Sequence, residues 1–527
     1  MSEQQTGSDT TPQALEERGD NRSHRPSGQA FRDFMASNWG ERIPLGLEES
    51  SAKDYLPARH QAVGRAFKGD RLVIPAGSLK VRSNDTDYRF RAHSAFAHLT
   101  GLGGELEPDA VLVLHPLWVE GKVNDEEVAD LPTHEPVLYF TPRASRTSEE
   151  FYADSRYGEF WVGARPSLEE MEAITGIKTA NINTLRDALA KDVGPGGESV
   201  QLRLASQEDA VTTQLVQELR SSAGADPSKS AAGDAELTEM LSEMRLTKDE
   251  YEIAQMQAAV DATKDGFESI IRALPRALDH PRGERVIDGA FLAVAREQGN
   301  GVGYETIAAG GNNANTLHWI DNSAALTDGS LVLVDAGVEL DSLYTADITR
   351  TLPVNGKFTE VQARIYQAVL DAAEAALARA AEPGARFRNV HEAAQEVLAA
   401  RLEEWGILPV SAEESLKPTG QQHRRWMPHG TSHHLGIDVH DCAQARKDLY
   451  QEAQLKPGMI FTIEPGLYFR ADDLAVPEEY RGIGVRIEDD IVILPDGTPR
   501  RLSESIPRTV DGVEKWIRDV QAAAKSS

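Results

Sequence analysis

Leu331-Val332-Leu333-Val334-Asp335-Ala336-Gly337 and, with its aspartate twelve positions on, Thr345-Ala346-Asp347-Ile348-Thr349-Arg350 form the stretch that decides the fold of this chain. Alternation along a strand puts Asp335 on the face of Leu331 and Leu333. A turn near Glu339 to Ser342 makes the two segments an antiparallel hairpin, which could bring both carboxylates to one face. Either aspartate alone fits a cap or a turn. Both together, ahead of a histidine cluster, fit that reading less well.

Three further segments extend the pattern: Met427-Pro428-His429-Gly430-Thr431-Ser432-His433-His434-Leu435-Gly436, Met459-Ile460-Phe461-Thr462-Ile463-Glu464-Pro465-Gly466 and Gly484-Val485-Arg486-Ile487-Glu488-Asp489-Asp490. Acids are seldom fully buried unless paired or bound to a cation, so carboxylates in such apolar settings suggest a metal site. His429 and His433 are four apart and share a side in either a helix or a strand, whereas His434 points elsewhere; His440 adds a polar group nearby. A His-Glu-x-x-His zinc helix is absent. Arg486 and Glu488 share one strand face, and a structural Arg–Glu pair competes with a ligand reading of Glu488. Two aspartates, two glutamates and one histidine are mostly hard oxygen donors. They suit Mn²⁺ best, with Zn²⁺, Co²⁺ or Fe²⁺ open. Four carboxylates exceed what one divalent ion needs, and two ions roughly 3.5–4 Å apart would use them all. That is the apparatus of metal-assisted hydrolysis.

The chain as a whole has 527 residues, which implies two domains. Acids outnumber bases 84 to 55, a formal charge of −29. This argues against nucleic acid or an anionic membrane as partner, since both need basic patches. No run approaches the roughly 18 apolar residues of a membrane span. The single cysteine, Cys442, forms no intrachain disulfide and reads as a small core residue. With no secretory pattern at the amino terminus, the expected location is cytoplasmic.

Residues 1–40 read as a polar, disordered tail, although a globular region could begin as early as Phe31. Residues 41–222 alternate strand-like runs (Arg71 to Pro75, Ala110 to Leu114, Pro136 to Phe140 and a fourth from Glu159 to Gly163) with helices, one opened by a capping box at Ser167. This predicts an α/β domain with a mixed sheet. Its histidines, His93, His98, His115 and His134, have no ligand spacing and are expected to be structural. The small residues from Ser221 to Asp234 predict a linker, taken as 223–245. Residues 246–515 then segregate helices (Thr247 to about Arg272, Glu284 to Gln298, Thr359 to Ala381, Val390 to Trp405) from the acid-bearing strands, an α+β pattern.

In order and context Asp335, Asp347, His433, Glu464 and Glu488 resemble the five metal ligands of the pita-bread metallopeptidases, the family of methionine aminopeptidase, prolidase and aminopeptidase P. Asp347-Ile348-Thr349-Arg350-Thr351, Pro353-Val354-Asn355-Gly356-Lys357-Phe358, Asp438-Val439-His440-Asp441 and Glu478-Glu479-Tyr480-Arg481-Gly482-Ile483-Gly484 are most similar to aminopeptidase P. Ser83-Asn84-Asp85-Thr86-Asp87-Tyr88 and Thr100-Gly101-Leu102 resemble that group's creatinase-like amino-terminal domain.

The resemblance implies an α/β creatinase-like domain followed by an α+β pita-bread catalytic domain. It implies two divalent ions, most suitably Mn²⁺. Asp335 would chelate one, Asp347 and Glu488 would bridge both, and His433 with Glu464 would complete the other. The implied reaction is removal of an amino-terminal residue ahead of proline through a hydroxide between the metals, with Glu464 handling its proton. His318 would be the active-site histidine ahead of the first ligand strand, His429 and His440 would position substrate and stabilise the tetrahedral intermediate, and Arg486 would orient the neighbouring ligands or the substrate. Expected partners are small peptides with proline second, and further copies of the chain in a dimer or tetramer. Prolidase, a metal-free creatinase-like hydrolase and a non-catalytic peptide-binding protein are the alternatives. One departure stands out: the Asp335–Asp347 interval is one residue longer than the family's usual spacing. In the turn this is harmless, whereas within a strand it would swing one carboxylate to the wrong face.

Overall fold

The structure, a computed structural model, describes residues 26–526 apart from 27, 44, 47, 85, 105–106, 118–130, 195–198 and 206–208. Most of the expected tail, and Asp85 of the quoted motif, lie outside the described residues. Within the expected tail, Gln29–Ala36 is a helix. The chain forms two compact units, one from residues up to 79, 107–202 and 208–225, the other from 80–106, 203–207 and 226–527.

The first unit is built on a sheet whose strands lie in the order Lys178–Asn181, His134–Phe140, Val111–Pro116, Arg71–Pro75 and Leu202–Leu204. Arg71–Pro75 and His134–Phe140 both run antiparallel to Val111–Pro116, while Lys178–Asn181 runs parallel to His134–Phe140. The sheet is mixed, as the alternation of elements predicts. Leu72, Val73, Ile74, Leu112, Val113 and Leu114 are all buried, so these central strands read as continuous apolar runs rather than alternating ones. The Ser167 capping box forms and starts the helix Leu168–Thr175. Glu159–Val162 is not the fourth strand but one turn of helix, with Trp161 and Val162 donating to the Gly158 carbonyl. A short apolar run does not fix its own period, and this one stays exposed with no strand to pair with. His115 accepts from Arg71 Nε at 3.0 Å and lies 3.0 Å from the Tyr139 hydroxyl, a structural arrangement.

The stretch read as a linker is mostly helical. Ala210–Ser222 ends just before it, and Pro227–Glu243 begins after a break of only four residues, 223–226. Asp226 caps the second helix by accepting from Ser228 N at 2.8 Å, and Pro227 occupies its first turn, where a missing N–H costs nothing. Small residues suit a helix once it is capped, and buried Leu237 and Leu241 anchor it.

In the second unit Asp249 and Glu252 form the capping box of the helix Glu250–Leu278, two positions past the expected start at Thr247; the helix runs through Pro275 to its end. Gly283–Gln298 packs beside it. Glu360–Ala380, boxed by Thr359 and Gln362, packs on Phe387–Glu404.

The hairpin forms between Leu331–Ala336 and Ile348–Pro353, with Ile307–Gly310 on the other edge of the first strand. Its register, Asp335↔Thr349 and Ala336↔Ile348, continues unbroken to the bridge Glu339↔Thr345. The additional residue of the long interval therefore sits in the turn 340–344, where Leu343 takes a left-handed φ of 70°. Asp335 and Asp347 stay on one face. A second group of strands, Ile460–Ile463 with Asp489–Ile493 and Gly466–Phe469 with Ile483–Arg486, flanks the remaining acids, with Glu464 just past Ile463 and Glu488 just before Asp489.

Candidate active site

Register delivers each acid to the same place. Beyond Arg486 the chain leaves its strand, and Glu488 N donates to Thr349 O at 3.1 Å, which sets Glu488 beside the hairpin. The histidine-rich segment runs extended along Ile460–Ile463: Thr462 N donates to His433 O at 2.9 Å and Glu464 N to Thr431 O at 2.8 Å. His433 and Glu464 are thereby fixed on adjacent extended segments.

His433 Nε2 lies 3.3 Å from Asp347 Oδ2, 3.8 Å from Glu464 Oε1 and 4.0 Å from Glu488 Oε1. Donor atoms of Asp347, His433 and Glu488 all fall within 4.8 Å of one another, a group that could hold a metal ion. Asp335 joins them through Tyr304, whose hydroxyl lies 2.6 Å from Asp335 Oδ1 and also against Asp347, its one proton shared between the two. The Arg486–Glu488 pair that competed with a ligand reading of Glu488 does not form. Arg486 binds Asp335 instead and donates from Nε to Thr349 Oγ1 and from Nη1 to the Tyr468 hydroxyl, both at 3.0 Å. Glu488 accepts from Thr349 Oγ1 at 2.7 Å.

Burial raises the Asp347 carboxyl, with Asp335 adding to it, and burial pushes Glu464 up to about 7 against the pull of His433 and Arg486. Glu488 is driven well above the carboxylate range by burial, Asp347 and Glu464. Burial alone would lower His433, but the bonded Asp347 and nearby Glu464 outweigh it and hold the imidazole up at about 9. Acids so crowded against one another are what a divalent cation relieves, and the donor set fits hard metals.

These residues line one cavity of about 530 Å³ together with His318, His440, Leu317, Ile320 and Val439. The His440 ring stands edge-on to His433 with centroids 4.5 Å apart, and burial with the neighbouring His433 lowers its pKa. His429 lies 3.5 Å from Glu464 Oε2 and 2.7 Å from the Tyr468 hydroxyl; burial and Arg486 lower it to about 3, so it is neutral. His434 points away and stacks on Phe387.

Sequence reasoning missed Tyr304, Thr349, Tyr468 and Asp490. Asp490, fully buried, accepts from Asp347 N at 3.1 Å. Its place as the third acid of the Glu488-Asp489-Asp490 run was the available signal for it; the three hydroxyls had none. Beside the site, Asp441 accepts from Arg245 Nε at 3.0 Å and Lys248 Nζ at 3.2 Å, all three buried. Against burial, which would raise it, these two cations hold the Asp441 carboxyl far below its usual range, and the adjacent Cys442 thiol is pushed up by burial. Asp441→Asn leaves buried Lys248 without its anion and Arg245 with only the longer contact to Asp438 at 3.7 Å, and is expected to cost about 3–5 kcal/mol in a denaturant titration at neutral pH. Because the folded pKa is depressed, the wild type keeps this contribution at neutral pH. It loses it as pH falls below about 4, and the difference from the variant then shrinks.

Residues 254–495 match Metallopeptidase family M24, and residues 57–200 match the aminopeptidase P N-terminal domain. The chain is 46% identical over 483 residues to Xaa-Pro aminopeptidase 1 of Streptomyces coelicolor, covering 92% of this chain and 91% of that one. It is 31% identical over 472 residues to the Xaa-Pro aminopeptidase of Escherichia coli, covering 89% and 98%. The solved structure of the aminopeptidase PepP of Pseudomonas aeruginosa superimposes with a TM-score of 0.73 at 28% identity, covering 92% of this chain and all of that one. With a creatinase-like domain ahead of a pita-bread domain whose buried acids meet a histidine in one cavity, the chain belongs to metallopeptidase family M24, among the aminopeptidases P.

Proposed function

We propose that the protein is a metallo-exopeptidase that removes the amino-terminal residue from peptides with proline second. We propose further that Asp335, Asp347, His433, Glu464 and Glu488 hold two divalent ions, most suitably Mn²⁺. The observation that carries the reading is the convergence of Asp347, His433 and Glu488 from three separate segments, within 4.8 Å, in a cavity also lined by apolar Ile307, Leu317, Ile320 and Val439. A divalent cation bound there would polarise a carbonyl and make a water acidic enough to attack it.

The chain's own residues do the rest. Glu464 Oε2, within reach of His429, is placed to hold a proton and pass it to the leaving nitrogen. His429 is neutral, and with Nδ1 held by Gly430 O at 2.6 Å and Nε2 by the Tyr468 hydroxyl at 2.7 Å its ring is a fixed, uncharged wall beside Glu464. His440 and His318 reach the cavity from other segments and can donate to an oxygen as it gains charge. Arg486 neutralises Asp335 and fixes its orientation. The bond to proline is a tertiary amide with no N–H, so recognition has to rest on the ring, for which the apolar lining is suited.

The test is release of the first residue from an Xaa-Pro-Yaa tripeptide. Chelation is expected to cut the rate more than roughly a hundredfold, and Mn²⁺ to restore it. Mn²⁺ should also raise the melting temperature of the chelated protein, because binding favours only the folded state. Cleavage of Xaa-Pro dipeptides alone would mean prolidase, a reading the aminopeptidase relatives do not favour. A homo-oligomer is proposed on the family resemblance and a cytoplasmic location on the lone cysteine. No helix among the described residues is long and apolar enough to cross a membrane.

A further inference from the structure

His318 stands in the cavity on a stretch, residues 316–328, that has neither helix nor strand. An irregular segment holds its shape only if something satisfies its backbone. Here that group is Glu284, in the first turn of the helix Gly283–Gln298 and completely buried. Its Oε1 accepts from Gly310 N at 2.8 Å and Asn313 Nδ2 at 2.9 Å. Its Oε2 accepts from Trp319 Nε1 at 2.9 Å and Ala324 N at 2.8 Å. Its own N–H donates to Ala324 O at 3.1 Å. All four donors are uncharged, and they bracket His318 on both sides, one of them on the next residue. Asn322, buried with a left-handed φ of 46°, pins the far end by accepting from Ala308 N at 3.0 Å and donating to Thr306 O at 2.8 Å. Bonds to a carboxylate are about twice as strong as neutral ones.

We propose that Glu284 is the positioning residue of His318: a buried carboxylate away from the cavity that sets where the imidazole meets substrate. It touches neither substrate nor the clustered acids. The activity arm of this inference rests on the aminopeptidase reading; the structural arm does not.

Glu284→Gln keeps the volume but turns one oxygen into a donor that faces two N–H groups, so two of the four bonds are lost. We expect kcat/KM on an Xaa-Pro-Yaa tripeptide to fall roughly 10–100-fold. In a His318→Ala background the same change should cost less than about twofold, because positioning has nothing left to position. In the chelated protein, the Gly310 and Ala324 amides should exchange with solvent at least about tenfold faster in Glu284→Gln than in wild type. Equal losses of kcat/KM in both backgrounds would reduce Glu284 to general scaffolding, and unchanged exchange would remove the clamp; either overturns the proposal. If Glu284→Gln does not fold, Trp319→Phe removes a single bond and is expected to repeat the pattern at smaller amplitude; an effect independent of His318 counts against the proposal. Should the wild type release no residue from any Xaa-Pro peptide, the aminopeptidase reading fails, and the exchange measurement alone decides the role of Glu284.

Discussion

Glu464→Ala is expected to lower kcat/KM on an Xaa-Pro-Yaa tripeptide by roughly 10²–10⁴, the range lost with a positioned proton carrier. The backbone of Glu464 is locked by its N–H to Thr431 O at 2.8 Å, so the side chain has a defined reach. Its carboxylate faces His433 at 3.8 Å and His429 at 3.5 Å, which leaves no neighbouring acid on that side to substitute for it. Glu464→Gln preserves shape and removes the proton-holding oxygen, so its loss should approach that of alanine. Without metal neither variant should melt lower than the wild type, because each removes an acid whose charge burial disfavours more than His433 and Arg486 stabilise it. Steady-state kinetics with thermal melts decides the matter. A glutamine variant retaining most activity would leave Glu464 no proton role.

A comparable effect is expected from Gly337→Ala, a substitution that touches no acid. Gly337 lies opposite Asp347 in the hairpin, and a Cβ there would come within 1.6 Å of the Ala346 carbonyl oxygen. That obstacle is backbone, so the strand has to move at the residue before Asp347. The Asp347 N–H is meanwhile tied to Asp490. A displacement near 1 Å at a reacting centre costs on the order of a hundredfold in rate, and overpacking a buried site costs about 1–3 kcal/mol. Both are expected here, measured as kcat/KM and as a denaturation midpoint, along with weaker retention of Mn²⁺ on dialysis. Wild-type activity at an unchanged midpoint would mean that the hairpin is far softer than its burial implies.

The acids were legible because they interrupt apolar runs, and a period of two told which face each would take. Asp335 and Asp347 needed only register to meet, whereas His433, Glu464 and Glu488 lie just off the strands and are set by backbone bonds with Thr462, Thr431 and Thr349. Arg486 was legible as a residue but not as a partner: its strand ends there, and the turn hands Glu488 to Thr349 while the guanidinium swings to Asp335. Tyr304, Thr349, Tyr468 and Glu284 were not legible. Each is a polar residue whose partners lie on other elements, and nothing local distinguishes it from a surface residue. The helix Pro227–Glu243 was hidden by composition: alanine and serine suit a loop and a capped helix alike, and only burial of Leu237 and Leu241 decides between them.

Cys442, the chain's one thiol, is sealed in the interior, in a left-handed turn beside Asp441. Alkylating reagents that act on exposed thiolates have nothing to react with in the native protein. The wild-type sequence is thus already a silent background for labelling. A fluorophore attached through a cysteine introduced at exposed Ile320, on the cavity wall, would report peptide arrival with no native residue removed elsewhere.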